Sequence, residues 1–176
     1  MQIIPKPPVE EYTTHAAMYI DLLPDDGNLL EHMQNNFLMI RDFILALPAE
    51  KLLYRYAKSK WTIKEMLVHM VDDERIYAYR ALCFARNEKI SLPGFDEKHY
   101  AYYSNANERD IQNIFEEYEA VRKSTIALFN GISPDVFTRT GISDSRHASV
   151  RAMAYHIAGH ELHHFNIIKE RYLKQA

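Results

Sequence analysis

The sequence predicts an all-α protein, a four-helix bundle with long crossover connections. Three observations carry that expectation. Four long stretches place apolar residues at helical spacing. Strand signals are weak, with no Asn-Gly hairpin and no sustained alternation of apolar and polar residues. Two of the connections are too long for tight turns, so crossovers can replace a simple up-down order.

Residues 1–27 hold Pro5, Pro7, Pro8, Pro24 and Gly27, and read as an irregular arm over the surface. The first long helix is expected from Asn28 to Leu47. It carries Leu29, Leu30, Met33, Phe37, Ile40, Ile44 and Leu47 on one face, and Pro48 ends it. The second runs from Thr62 to Arg86. Its start is marked by Thr62 and Glu65, a T-x-x-E capping box in which each side chain satisfies a free amide of the first turn. The third begins near Asn107, carries Ile111, Ile114, Phe115, Tyr118, Val121, Ile126 and Phe129, and stops at Gly131. The fourth starts after Ser149 and continues almost to the C-terminus. The connections "NEKISLPGFDEKHYAYYSNA" and "GISPDVFTRTGISDSRHAS" are long. The first puts His99, Tyr100, Tyr102 and Tyr103 where they can line a pocket mouth, although packing on the bundle is the plainer reading.

Composition bounds the function. At 176 residues, 47% hydrophobic and 26% charged, the chain reads as a single domain over 1–176 with a core of ordinary size. A net charge of −3 with mixed signs offers no basic field for nucleic acid or anionic lipid. The lone Cys83 rules out an intramolecular disulfide, as expected of a reducing compartment. "MQIIPKPPVEEY" lacks the apolar run of a signal peptide, and "FLMIRDFILAL" is cut by Arg41 and Asp42. A soluble cytoplasmic protein without a membrane partner is expected.

The chemistry concentrates in "HIAGHELHHF". Four of the nine histidines, His156, His160, His163 and His164, fall in this stretch of the fourth helix. With residues advancing about 100° along the helix, Val150, Met153, Ile157, Ile167 and Ile168 define a core direction about 40° from His160. His164 lies almost on that line, and His156 and His163 lie about 80–100° from it, toward the flank. Two core-facing imidazoles four residues apart can converge on one ion, because that spacing returns to the same face. The competing reading is a hydrogen-bonded polar network in the core. A third ligand must come from a facing helix, and His69 in the second helix is the candidate at comparable depth.

The same stretch contains H-E-x-x-H, the spacing of a class of zinc proteases. Those enzymes take a third ligand from farther along the chain. Only twelve residues follow His164, all continuing one helix, and Glu170 projects about a quarter-turn or more away from the pair. The peptidase reading therefore fails, and Glu161 is expected as an exposed or outer-shell carboxylate. Cys83, among Ala81, Leu82 and Phe84, reads as a small buried hydrophobe. His15, His32 and His147 have no partners at metal spacing.

"KWTIKEMLVHMVDDE" and "SVRAMAYHIAGHELHHFNIIKERY", together with "PGFDEKHY" and "EEYEAVRKSTIALF", resemble the DinB/YfiT-like metalloenzyme family over about residues 28–173. The resemblance implies a four-helix bundle of unusual connectivity, often a homodimer. It also implies a divalent transition metal, zinc or nickel first and iron or manganese next, held by three histidines that map to His69, His160 and His164. Asp73 is the nearest candidate to orient a ring N–H, with His156 and Glu161 as further outer-shell candidates. Members of the family include thiol-dependent S-transferases using bacillithiol or mycothiol. The expected partners are therefore a small-molecule thiol and an electrophile. A metal-dependent hydrolase and a non-catalytic, stress-response binding bundle are the alternatives.

Overall fold

The computed structural model describes residues 1–173. Four long helices form a bundle: α2 (Leu29–Leu45), α4 (Ile63–Ala85), α6 (Ile111–Asn130) and α7 (Val150–Ile167), the last continued by a π-helical turn at Ile168–Tyr172. Shorter helices α1 (Thr14–Ile20), α3 (Ala49–Leu52) and α5 (Glu97–Tyr103) and a hairpin of β1 (Thr140–Ser143) and β2 (Arg146–Ser149) fill the connections. Among the described residues no helix is long and apolar enough to cross a membrane.

The main packing partners are α4 with α7 and α6, and α2 with α6 and α7. The order round the bundle is therefore α2–α6–α4–α7, and α2 and α4, consecutive long helices, sit diagonally. An up-down bundle makes consecutive helices neighbours; the long connections are what permit the crossovers seen here.

Three of the four long helices, α4, α6 and α7, start on a side-chain cap. The Thr62 side chain accepts from the Glu65 amide while Glu65 accepts from the Thr62 amide, completing the expected capping box. Ser149 caps α7 through the Ala152 amide. The start of α6 differs from expectation: Asp110 caps it, through the Gln112 amide. Asn107 instead accepts from the Thr62 hydroxyl and donates to Glu65, tying the α6 approach to the α4 cap.

Two further expectations need correction. Residues 1–27 are not an irregular arm over the surface. Ile4 and Ile20 are fully buried, Tyr12 and Leu23 nearly so, and α1 packs along α7. The prolines stop long helices without preventing burial. The hairpin was hidden because its turn is Asp144-Ser145, both at positive φ (51° and 59°). That is the backbone a two-residue hairpin requires, reached without the usual Asn-Gly pair.

The core divides into two apolar clusters stacked along the bundle. One is built on Leu29, Leu30 and Met33 of α2, Ala81 and Phe84 of α4, Phe129 of α6, and α7 residues 150–158. The other takes Phe37, Ile40 and Ile44, α4 residues 63–71, α6 residues Ile114–Val121, and Phe165 with Ile168. Between them lies a polar layer to which every long helix contributes: Asn36, His69, Asp73, Glu74, Arg122, His156, His160 and Glu161.

Candidate metal centre

The polar layer has two halves. In the first, α4 supplies His69 and α7 supplies His160 and His164. Their ligand atoms all lie within 4.8 Å of one another, and His69 and His160 are buried while His164 is partly so. Nε2 of His160 lies 3.2 Å from Nε2 of His69 and 3.0 Å from Nε2 of His164. Two imidazoles bound to one ion at about 2.0–2.1 Å and about 90–110° apart place their nitrogens about 2.8–3.4 Å from each other. The observed spacings fit that chord.

Asp73 sits one turn beyond His69 and is 4% exposed. Its Oδ2 lies 3.3 Å from Nδ1 of His160 and 3.2 Å from Nε2 of His156. A proton on His160 Nδ1 donating to Asp73 leaves the Nε2 lone pair directed at the other two rings. Tyr77 stacks on His156 at 3.6 Å between centroids, and Tyr19 meets the rings of His156, His160 and His163 edge-on at 4.9–5.3 Å. Trp61 lies tilted over His69 at 4.7 Å.

A self-sufficient hydrogen-bonded network of neutral rings does not account for this arrangement. The Nε2 of His160 has a single site but faces two nitrogens. Nδ1 of His164 is buried without a hydrogen-bond partner, alone in that respect among the described residues. Burial, reinforced by the neighbouring rings, holds His160 and His164 well below the usual imidazole range, and burial lowers His69 as well. The cluster therefore presents neutral nitrogen donors at neutral pH. Imidazole donors suit zinc, nickel and iron.

A cleft of about 220 Å³ opens beside His164, lined among others by Tyr56, Lys60, Trp61, Met66 and Tyr172. It gives a small molecule a route toward the cluster.

The second half of the layer is an ion network. Arg122, fully enclosed, donates to Glu74 (2.8 Å) and to Glu161 (2.6 Å), and also to the Met33 carbonyl. Tyr118 donates to Glu161 at 2.8 Å and Asn36 does so at 3.3 Å.

The structure brings His69, His160 and His164 together, and Asp73 touches His160. Glu161 is neither exposed nor in contact with a ring nitrogen; it projects about 100° round α7 from His160 and is held by Arg122. Glu74 is its counterpart in the same network. His156, expected on the flank, is buried because α1 covers that side of α7. Tyr19 and Trp61 also flank the cluster, and nothing in their local sequence marks either for that place. The tyrosines at 100, 102 and 103 do not pack on the bundle as preferred; they stand 45–79% exposed on α5. Cys83 is half-buried against the core.

A crossed helical bundle with a buried three-histidine cluster between its second and fourth long helices defines the class of protein. The chain belongs to the DinB superfamily, whose family model matches residues 30–168. Among solved structures it is similar to YfiT from Bacillus subtilis, described as a probable metal-dependent hydrolase with an unusual four-helix bundle topology. The identity is 14% and the TM-score 0.77, over 94% of this chain and 91% of that one. A likeness at that identity speaks for the fold. No curated protein matches the chain.

Proposed function

We propose that His69, His160 and His164 hold one divalent transition-metal ion and that the chain is a metal-dependent enzyme acting on small molecules. The observation that carries this reading is the crowding of three Nε2 atoms at 3.0–3.2 Å around His160, whose other nitrogen is engaged by Asp73. Zinc or nickel is the first expectation for such donors, iron or manganese the next. Three protein ligands leave coordination positions open, and the ion would lower the pKa of a thiol or water there.

The protein's own groups do the rest. Asp73 fixes the His160 tautomer, and His156 holds the same carboxylate oxygen in place. Tyr19 and Trp61 wall the cluster from water, while the cleft beside His164 admits the reactants. The reaction we favour is thiol S-transfer. The sulfur of a bacillithiol- or mycothiol-like cosubstrate bonds to a small electrophile, its proton passing to solvent and the leaving group departing. This choice rests on the family resemblance. Hydrolysis is the second reading, favoured by the likeness to YfiT, and a non-catalytic binding bundle is the third. Homodimer formation belongs to the same proposal and is checked by light scattering.

Elemental analysis with a thiol-conjugation assay tests the proposal. About one equivalent of metal per chain is expected, lost in His160→Ala, with conjugation dependent on that metal. Metal with hydrolysis but no conjugation moves the protein to the second reading; metal without turnover moves it to the third. Equally little metal in wild type and in a variant lacking all three histidines, after reconstitution, overturns the site.

A further inference from the structure

Arg80, near the end of α4, is a buried cation without an anion. It is 4% exposed. Its Nη2 donates to the Pro93 carbonyl at 3.0 Å, and its guanidinium carbon lies 4.8 Å from the Tyr77 ring centroid and 6.0 Å from that of Phe95. Among the described residues no carboxylate pairs with it. The contrast within this protein is direct: Arg122 is neutralised by Glu74 and Glu161, and the partly buried Arg151 by Glu11. A guanidinium carries five N–H donors, and the Pro93 bond uses one of them.

The arginine lines a cavity of about 50 Å³ between α1, α4, α7 and the hairpin. Arg146, His15 and His147 line it too, and His156 closes it on the inner side. Asp144 is the acidic group on its wall, paired loosely with Arg146 at 3.7 Å at the exposed rim. None of His69, His160 and His164 borders it. The cavity is thus separated from the three-histidine cluster by His156 and Asp73, and its charge is positive where it is most buried.

We propose that this cavity is a subsite for one compact oxyanion, a carboxylate or a phosphate group, seated on the Arg80 guanidinium. The volume accommodates one such group rather than a whole metabolite. A planar fork of donors matches two oxygens of either group, and a buried charge gains most from a partner of opposite sign. The site stands independently of the metal proposal.

Thermal melts of the full chain, titrated with inorganic phosphate or with acetate at constant ionic strength, test it. A saturable rise in Tm is expected with at least one probe, and the tighter probe identifies the oxyanion class. Arg80→Gln is expected to weaken that affinity about tenfold or more. Ala16→Met, which fills the cavity and keeps Arg80, should do the same, and it carries the test if Arg80→Gln does not fold. His164→Ala, whose ring touches neither His156 nor the cavity wall, should leave the response unchanged. No saturable response in the wild type overturns the proposal. So does a response that survives either folded cavity variant, or one that disappears in His164→Ala and so belongs to the metal centre.

Discussion

At the scale of single residues, Asp73 is the side chain on which the candidate centre turns. One of its oxygens is shared by His160 and His156, so it sets the protonation pattern of the α7 rings without itself touching the cluster's Nε2 atoms. Such outer carboxylates raise ligand basicity and hold ring orientation, and losing one typically costs about 10–100-fold in metal affinity. On the proposed site, Asp73→Asn should retain the fold and bind metal about 10–100-fold more weakly in a competition titration against a chelator. Unchanged affinity would show that His160 is oriented by something else. Tyr19 belongs to the same scale. Its ring covers three of the α7 histidines, yet nothing in "THAAMYI" announces that role, since i, i+4 aromatics are commonplace on short helices.

At the scale of elements, what the sequence made legible was what local chemistry decides. The capping box, the Ser149 cap and the apolar stripes located α2, α4 and α7 to within about two residues. Helical spacing also brought His160 and His164 to one face. What stayed hidden was what neighbouring elements decide. His156 is buried because α1 lies on it and Tyr77 of α4 stacks against it, and Glu161 faces Arg122 because α6 stands diagonally across the bundle. A wheel drawn from one helix contains neither fact. The Glu74–Arg122–Glu161 network is the consequence most open to measurement, since it joins α4, α6 and α7 and reaches the Met33 carbonyl of α2. Removing the cation strands two buried carboxylates, so Arg122→Met should destabilise the protein by about 3–5 kcal/mol in urea unfolding. Glu74→Gln leaves Arg122 paired with Glu161 and should cost less. Equal losses for the two variants would mean that the network acts as filler and not as an ion pair.

At the scale of the whole molecule, the polar layer makes stability depend on pH in a predictable direction. His69, His160 and His164 are held below the ordinary imidazole value by burial, with the neighbouring rings adding to the effect in His160 and His164. An unfolded histidine titrates near 6.5. Between that value and the lowered folded one, the unfolded rings bind more protons, so their contribution to the metal-free protein is complete above about pH 6.5 and is lost as pH falls. Each ring contributes at most about 1.4 kcal/mol per pH unit inside that window. Burial works against the lowering of Glu11 by Arg151 and of Glu117 by Arg75 with Arg109, and both act below that window, whereas Asp72 and Glu161, raised by burial, act in the opposite sense to the rings. Urea midpoints of the metal-free protein at about pH 7.5 and about pH 5.5 should therefore differ clearly, and His164→Asn should flatten the dependence. A bound ion competes with the same protons, so metal at about 100 times its Kd should add about 2.7 kcal/mol at the higher pH and much less at the lower. A flat profile for the metal-free chain would mean that water reaches the rings freely. Equal metal stabilisation at both pH values would place the ion on groups other than histidine.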